Sequence, residues 1–295
     1  MIHLMFNFFK KPFHGVYLVF SLLPSIFVLL KSRTGKSLTN IDFIKNKDKC
    51  IVIGNGPSLS NDLDAIEKKI ANYDVCCVNN FVVSPYFIKF RPCKYIFQDT
   101  YFWAENAHSS WIKQREETFD LLNKNVTWDM QIFIPMHADK HFFETKITNT
   151  YIEIIQQKTV AIEHVESNFA YMLFNTGYFS PCRWNVLITA IYLSIHTRYK
   201  QIEIYGADMS FYKDIDVDQK TNELLFNIKH FYGETKTEIY THNPEKTRKV
   251  TMDELMNVQK CIFFAHKVLS GYAEYLHISI INKSSYSLID TYKRT

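Results

Sequence analysis

The chain has 295 residues, 47% of them hydrophobic, 22% charged and 16% aromatic, which excludes a disordered chain, a disulfide-stapled miniprotein and a collagen-like fibre. The formal charge of +4 is a property of the N-terminus: residues 1–49 hold eight Lys or Arg against two acids, leaving 26 bases and 28 acids in the rest. A body without basic excess excludes nucleic acid as the expected partner. A basic segment beside an apolar one points instead to an anionic lipid surface.

In chain order, the first element is an uncharged apolar run over residues 12–30. A spanning helix needs about 20 such residues. Pro24 would kink it, and no A-x-A cleavage site follows Leu30. Residues 1–31 therefore read as a membrane-associated helix that spans or lies on the bilayer, with a buried core helix as the other reading. Lys31, Arg33 and Lys36 follow the run and bias the body toward the cytoplasmic side. Residues 32–49 read as a basic linker, and 50–295 as one α/β domain.

From residue 50 the pattern alternates short apolar runs with helical stretches. Cys50-Ile51-Val52-Ile53, Asp74 to Val78, Tyr95-Ile96-Phe97, Gln131-Ile132-Phe133-Ile134, Gln201 to Tyr205 and residues 277–281 read as strands. Helices are predicted over about 60–71, 101–122, 181–196 and 252–275. The alternation predicts a Rossmann-like α/β fold with a mostly parallel sheet flanked by helices. The polar stretch over about 206–248 is too long for an ordinary connection and reads as a lid-like loop region.

Ligands of open parallel sheets collect beyond the carboxyl ends of the strands. Gly54-Asn55-Gly56, Asn79-Asn80, Gln98-Asp99 and Gly206-Ala207-Asp208 all stand there and are expected to converge on one cleft. In Gly54-Asn55-Gly56-Pro57-Ser58 the glycines permit a sharp turn and close approach, and Pro57 suits a first helical turn whose free N–H groups could hold a phosphate. A plain strand-to-helix turn is the alternative. Gly35-Lys36-Ser37 is no Walker loop, because Leu30 stands where its first glycine belongs.

Cys50, Cys76, Cys77, Cys93, Cys182 and Cys261 form no C-x-x-C pair, so neither a disulfide framework nor a zinc site is expected. Asp214, Asp216 and Asp218 form overlapping D-x-D patterns, read as a solvated acidic turn more readily than as a cation site. His137, His141, His164 and His266 show no ligand spacing, and Tyr101, Phe102 and Trp103 could cover a nucleotide base.

The run from Ile51 to Leu59 resembles the N-terminal motif of the bacterial lipooligosaccharide sialyltransferases, glycosyltransferase family 42. The resemblance continues through Val78-Asn79-Asn80-Phe81, Tyr95-Ile96-Phe97-Gln98, Asn175-Thr176-Gly177 and Glu203-Ile204-Tyr205-Gly206-Ala207-Asp208. Similar signatures occur in the MptE-like group, related to 6-hydroxymethylpterin diphosphokinases. The resemblance implies transfer of a CMP-activated acidic sugar, sialic acid or a relative, to a surface glycan or glycolipid at the bacterial inner membrane. Gly54, Asn55, Gly56, Ser58 and Asn79 would then hold the nucleotide. Gln98, Asp99 and Asp208 stand beside them. Asn175, Thr176 and Gly177 would contact the donor, although the family reads Thr-Ser-Gly there. Tyr212 would assist the leaving phosphate, and His230 or His242 would act as general base, with His230 favoured. The donor carries a monophosphate, so no metal or other cofactor is expected, and a second copy of the chain is an allowed partner. A pterin diphosphokinase using ATP and Mg²⁺ and a non-catalytic membrane-tethered binding protein are the competing readings.

Overall fold

A computed structural model describes residues 22–32, 34–210, 213, 215–228, 236–241 and 243–294. The strands in chain order are β1 (Lys49–Ile53), β2 (Asp74–Val78), β3 (Lys94–Ile96), β4 (Met130–Pro135), β5 (Ile152–Gln157), β6 (Val160–Ala161), β7 (Phe179–Ser180), β8 (Gln201–Tyr205), β9 (Ile215–Val217), β10 (Leu224–Ile228), β11 (Lys236–Ile239) and β12 (Ser279–Asn282). Seven of them form one sheet in the order β12-β8-β1-β2-β3-β4-β5, and every neighbouring pair is parallel. The expected Rossmann-like layout holds, with the reversal of strand order between β1 and β8.

Successive side chains of a strand point to opposite faces, so a strand covered on both sides must be apolar throughout. Cys50, Val52, Cys76, Val78, Ile202 and Ile204 face one core; Ile51, Ile53, Val75, Cys77, Ile132 and Ile134 face the other. The helices, labelled α1 (Leu59–Glu67), α2 (Tyr86–Phe90), α3 (Ser109–Asn125), α4 (Lys140–Lys146), α5 (Asn168–Asn175), α6 (Val186–His196) and α7 (Met252–Tyr275), cover these faces. Helix α6 is apolar all round and buried from Leu187 to His196, as a helix sandwiched between a sheet and another helix requires. Its start lies at Asn185, whose side-chain oxygen accepts from the Leu187 N–H at 2.8 Å, so residues 181–184 form a loop ahead of it. Helix α7 opens with a reciprocal cap between Thr251 and Glu254.

The stretch read as a basic linker packs on the body: Lys36 pairs with Gln157 at the carboxyl end of β5, and residues 42–48 run along the amino ends of the strands. Leu38 and Ile41 are buried, and the Asn46 N–H donates to Asp74 Oδ2 at 2.8 Å. The polar stretch after β8 holds a small antiparallel sheet, β11-β10-β9, seated on Val250 and on Leu255 in the first turns of α7. Residues 22–31 are helical. Leu22 and Leu29 pack on the body, while Leu23, Ile26, Phe27 and Leu30 lie exposed at helical spacing. Among the described residues no helix is long and apolar enough to cross a membrane, and residues 1–21, which hold most of the expected anchor, lie outside the described residues.

Candidate functional site

The residues expected to share one cleft separate into three places. Gly54, Gly56, Ser58 and Asp208 meet at the strand-order reversal, where the loops after β1 and β8 close on each other. The Gly54 and Gly56 N–H groups donate to the Tyr205 and Gly206 carbonyls at 2.8 and 2.9 Å. A Cβ on Gly56 would stand 2.0 Å from Asp208 Oδ2, which is the physical reason for glycine there. Asp208 then takes the place an anionic ligand would occupy at the start of α1: Ser58 donates to its carboxylate from N at 3.0 Å and from Oγ at 2.6 Å. Burial pushes the Asp208 carboxyl up, and the Ser58 hydrogen bonds hold it down. Residues 284–288 fold over this junction, with the Ser285 N–H on Asp62 and the Leu288 N–H on the Asp208 carbonyl.

Asn175, Thr176 and Gly177 end α5 on the amino-end side of the fold. Ser37 Oγ donates to the Thr176 carbonyl at 2.8 Å, the Leu38 N–H donates to that of Gly177, and Arg198 donates to Asn175 Oδ1. A Cβ on Gly177 would lie 2.8 Å from the backbone of Leu38 and Thr39. These groups tie the N-terminal strap to the body.

Asn55, Asn79, Gln98 and Asp99 do converge, on a cavity of about 1460 Å³ beyond the carboxyl ends of β1 to β4. Typical small-molecule sites measure about 300–1,000 Å³, so this one has room for two reactants. Asn79 is held at φ +47, a region asparagine tolerates better than most residues. From there its amide donates to Asp99 Oδ2 at 2.7 Å. Asn55 donates to the Val78 carbonyl at 3.2 Å, and the buried Oδ1 atoms of both asparagines have no hydrogen-bond partner. Gln98 donates to the Arg183 carbonyl at 3.0 Å and accepts from Thr189, fixing the loop ahead of α6.

That loop and the neighbouring helices bring residues that the sequence reading did not single out for this site. Arg183, Trp184, His137, Lys113 and Trp111 line the cavity, as do Tyr240, Thr241, Asn243 and Pro244 of the polar stretch. Arg183 lies over the Trp184 ring at 4.8 Å. Neither Arg183 nor Lys113 has a carboxylate within ion-pair distance among the described residues. Tyr101 and Trp111, ring centroids 5.2 Å apart, give an aromatic wall. Phe102 is fully buried and Trp103 packs edge-on to His137, so of the three aromatics proposed as a base cover only Tyr101 reaches the cavity.

The electrostatics match this geometry. Asp99 is exposed to the cavity, and the protein crowded around that opening thins its water and pushes its carboxyl up to about 6, against the Asn79 hydrogen bond. Loss of water also lowers His137 from its ordinary value, and the positive charge of Arg183 adds to the effect. A histidine whose pKa is lowered beside an arginine favours the form that can accept a proton, while the arginine can hold an anion. His137 was findable, because it follows β4 as Asp99 follows β3. Arg183 and Lys113 carried no such signal, since the loop ahead of α6 and helix α3 place them.

Tyr212, His230 and His242 lie outside the described residues, as does Asp214. In the rest of the D-x-D run, Asp218 Oδ1 accepts from the Lys220 and Thr221 N–H groups at 2.8 Å, and Asp216 from that of Val217, as in an ordinary acidic turn.

The chain matches no protein-family model and no curated protein. Five chains of solved structures match it. One is the MAf glycosyltransferase from Magnetospirillum magneticum AMB-1, with 10% identity and a TM-score of 0.45 over 88% of this chain. The alignment spans 37% of that protein's length.

Proposed function

We propose that the protein is a glycosyltransferase that moves an acidic sugar from a CMP-activated donor to a hydroxyl of a surface glycan or glycolipid. One observation carries this reading: a two-reactant cavity lined by Arg183 and Lys113, which have no carboxylate in ion-pair distance among the described residues, by His137 and by the aromatic pair Tyr101–Trp111. The aromatics suit a nucleobase, and the unpartnered side-chain oxygens of Asn55 and Asn79 suit sugar hydroxyls. In the transfer, the acceptor oxygen bonds to the anomeric carbon while the bond from that carbon to the phosphate oxygen breaks. The acceptor proton passes to a histidine, and CMP leaves with the electron pair. Arg183 and Lys113 stabilise the charge that develops on the phosphate.

His137 joins His230 and His242 as a candidate base. His242 stands in sequence between Thr241 and Asn243, both of which line the cavity. The exposed stripe Leu23, Ile26, Phe27 and Leu30, followed by Lys31 and Lys36, supports attachment to an anionic lipid surface.

The test is a melting-temperature screen with CMP, UMP, GMP and ATP, followed by transfer from a radiolabelled CMP-sugar. CMP should raise the melting temperature most. Replacing the base by alanine should lower turnover by about 10²–10⁴-fold while CMP affinity stays. A response to ATP and Mg²⁺ with AMP formed from hydroxymethylpterin would replace this reading by the diphosphokinase. No response to any nucleotide would leave a binding protein.

A further inference from the structure

Beside α6's entry loop lies a cluster of metal-ligating side chains that the transfer chemistry does not use. One carboxylate oxygen of Glu163, one ring nitrogen of His164 and Cys261 Sγ lie within 4.8 Å of one another. Cys182 Sγ is 3.7 Å from Cys261 Sγ. Two thiolates at about 2.3 Å from one tetrahedral ion stand about 3.8 Å apart, so this pair is already spaced for a shared metal.

The fold explains the convergence. Strands β6 and β7 pair in parallel with Ala161 opposite Ser180, and continuing that register by two residues sets Glu163 beside Cys182. Cys261 reaches them from α7. His164 is held at φ +61, an uncommon backbone region for a non-glycine residue. Two further details suit a cation. Glu163 Oε1 is buried with no hydrogen-bond partner, a costly state that a positive ion would relieve. The Trp184 N–H donates to Cys182 Sγ at 3.3 Å, as backbone amides do toward metal-bound thiolates.

We propose that Glu163, His164, Cys182 and Cys261 form a structural zinc site that clamps the β6–α5 connection, the loop ahead of α6 and helix α7 together. Two thiolates with an imidazole and a carboxylate are a donor set for zinc rather than for magnesium or calcium. Cys182 Sγ stands outside the 4.8 Å group formed by the other three, so Cys182 and His164 must turn inward by side-chain rotation to bring all four ligand atoms to zinc distances. Cys182 directly precedes Arg183 and Trp184, so the clamp would steady one wall of the cavity. The site stands on its own geometry, whatever reaction the cavity performs.

The experiment uses the full chain, purified under reducing conditions, stripped with a chelator and titrated with Co²⁺. One equivalent should give a thiolate-to-cobalt charge-transfer band and the visible bands of a tetrahedral ion, and Zn²⁺ should abolish both. Zn²⁺ should also raise the melting temperature. C261S and C182S should lose the charge-transfer intensity. E163Q and H164A replace less buried ligands, so they should leave the metal-free melting temperature unchanged and weaken Zn²⁺ by at least about tenfold. They carry the test if the cysteine variants do not fold. No cobalt spectrum at stoichiometric metal overturns the proposal. So does a spectrum indifferent to all four substitutions, or a protein isolated without zinc and with a Cys182–Cys261 disulfide.

Discussion

The amino and carboxyl ends of the central sheet are both polar, yet only one end is closed on itself. At the amino ends, buried Asp74 accepts from Tyr199 Oη at 2.7 Å and from the Asn46 and Lys47 N–H groups at 2.8 and 3.3 Å. Lys94, wholly buried, donates to Tyr199 at 2.8 Å and to the Ile44 carbonyl. Gln131 donates to the Asp42 carbonyl and accepts from the Ile44 N–H. Residues 42–47 of the strap complete these bonds. At the carboxyl ends, by contrast, Asn55 and Asn79 keep unpartnered oxygens, Arg183 and Lys113 lack carboxylates among the described residues, and Asp99 and His137 hold shifted pKa values. Buried polar groups are costly unless satisfied. A network satisfied internally stabilises a fold; at the open end only the oxygens of Asn55 and Asn79 are buried without partners, while Arg183, Lys113, Asp99 and His137 are exposed to the cavity.

The comparison breaks first at Asp74. Asp74→Ala strands three donors and leaves Lys94 without a nearby countercharge, which should cost about 3–5 kcal/mol of stability by urea denaturation. CMP affinity of the folded fraction should not change. Arg183→Ala should do the reverse. Stability should stay within about 0.5 kcal/mol, while calorimetry should record a loss of about 1.5–3 kcal/mol of CMP binding, the worth of a charged hydrogen bond. If Arg183→Ala unfolds the protein and spares the nucleotide, the two ends are not different in kind.

The junction between β1 and β8 tests where the boundary between the two regions runs. It lies at the carboxyl ends but is closed by Asp208, so Gly56→Ala should behave like an amino-end lesion. The added methyl group collides with Asp208, and overpacking of this kind costs about 1–3 kcal/mol. A variant of normal stability that has lost nucleotide would mean that the loop is a phosphate cradle after all.

The sheet was legible because strands covered on both faces leave continuous apolar runs, as β1, β2, β3 and β4 do, while β8 and β12 keep only two isoleucines each between polar residues. Strand β5 was missed: its Ile152-Glu153-Ile154 start alternates on a sheet edge and gives no such run. The three short strands after β8 were hidden in polar sequence, since they share only a small core with Val250 and Leu255. Helix α7 was legible almost to the residue through its capping pair and Gly271-free first turns. In the site, strand-end position found Asn55, Asn79, Gln98 and Asp99 correctly as cavity residues. The same rule could not tell that Gly56, Ser58 and Asp208 would satisfy one another, because that depends on pairing across 150 residues of chain. Residues delivered by helices, such as Lys113 and Trp111 on α3, leave no positional mark at all.

The smallest effect concerns Asp99, and its sign separates an open polar site from a closed one. The folded carboxyl is pushed up to about 6, chiefly by loss of water, whereas an unfolded aspartate titrates near about 3.9. The folded chain therefore holds this proton more tightly. The stability that follows is fully present below about pH 4 and is lost as pH rises through about 6. Asp99→Asn removes the charge that the cavity disfavours and keeps a partner for Asn79, so its melting temperature should exceed the parent's above pH 6 and meet it near pH 4. Deprotonated Asp99 also repels a phosphate drawn by Arg183. CMP's own phosphate takes its second charge at about pH 6 in both proteins, so it is the ratio of parent to variant CMP affinity that should fall between pH 5 and 7. Parallel melting and binding profiles for the two proteins would mean that Asp99 is already compensated, and the carboxyl end would then be as closed as the amino end.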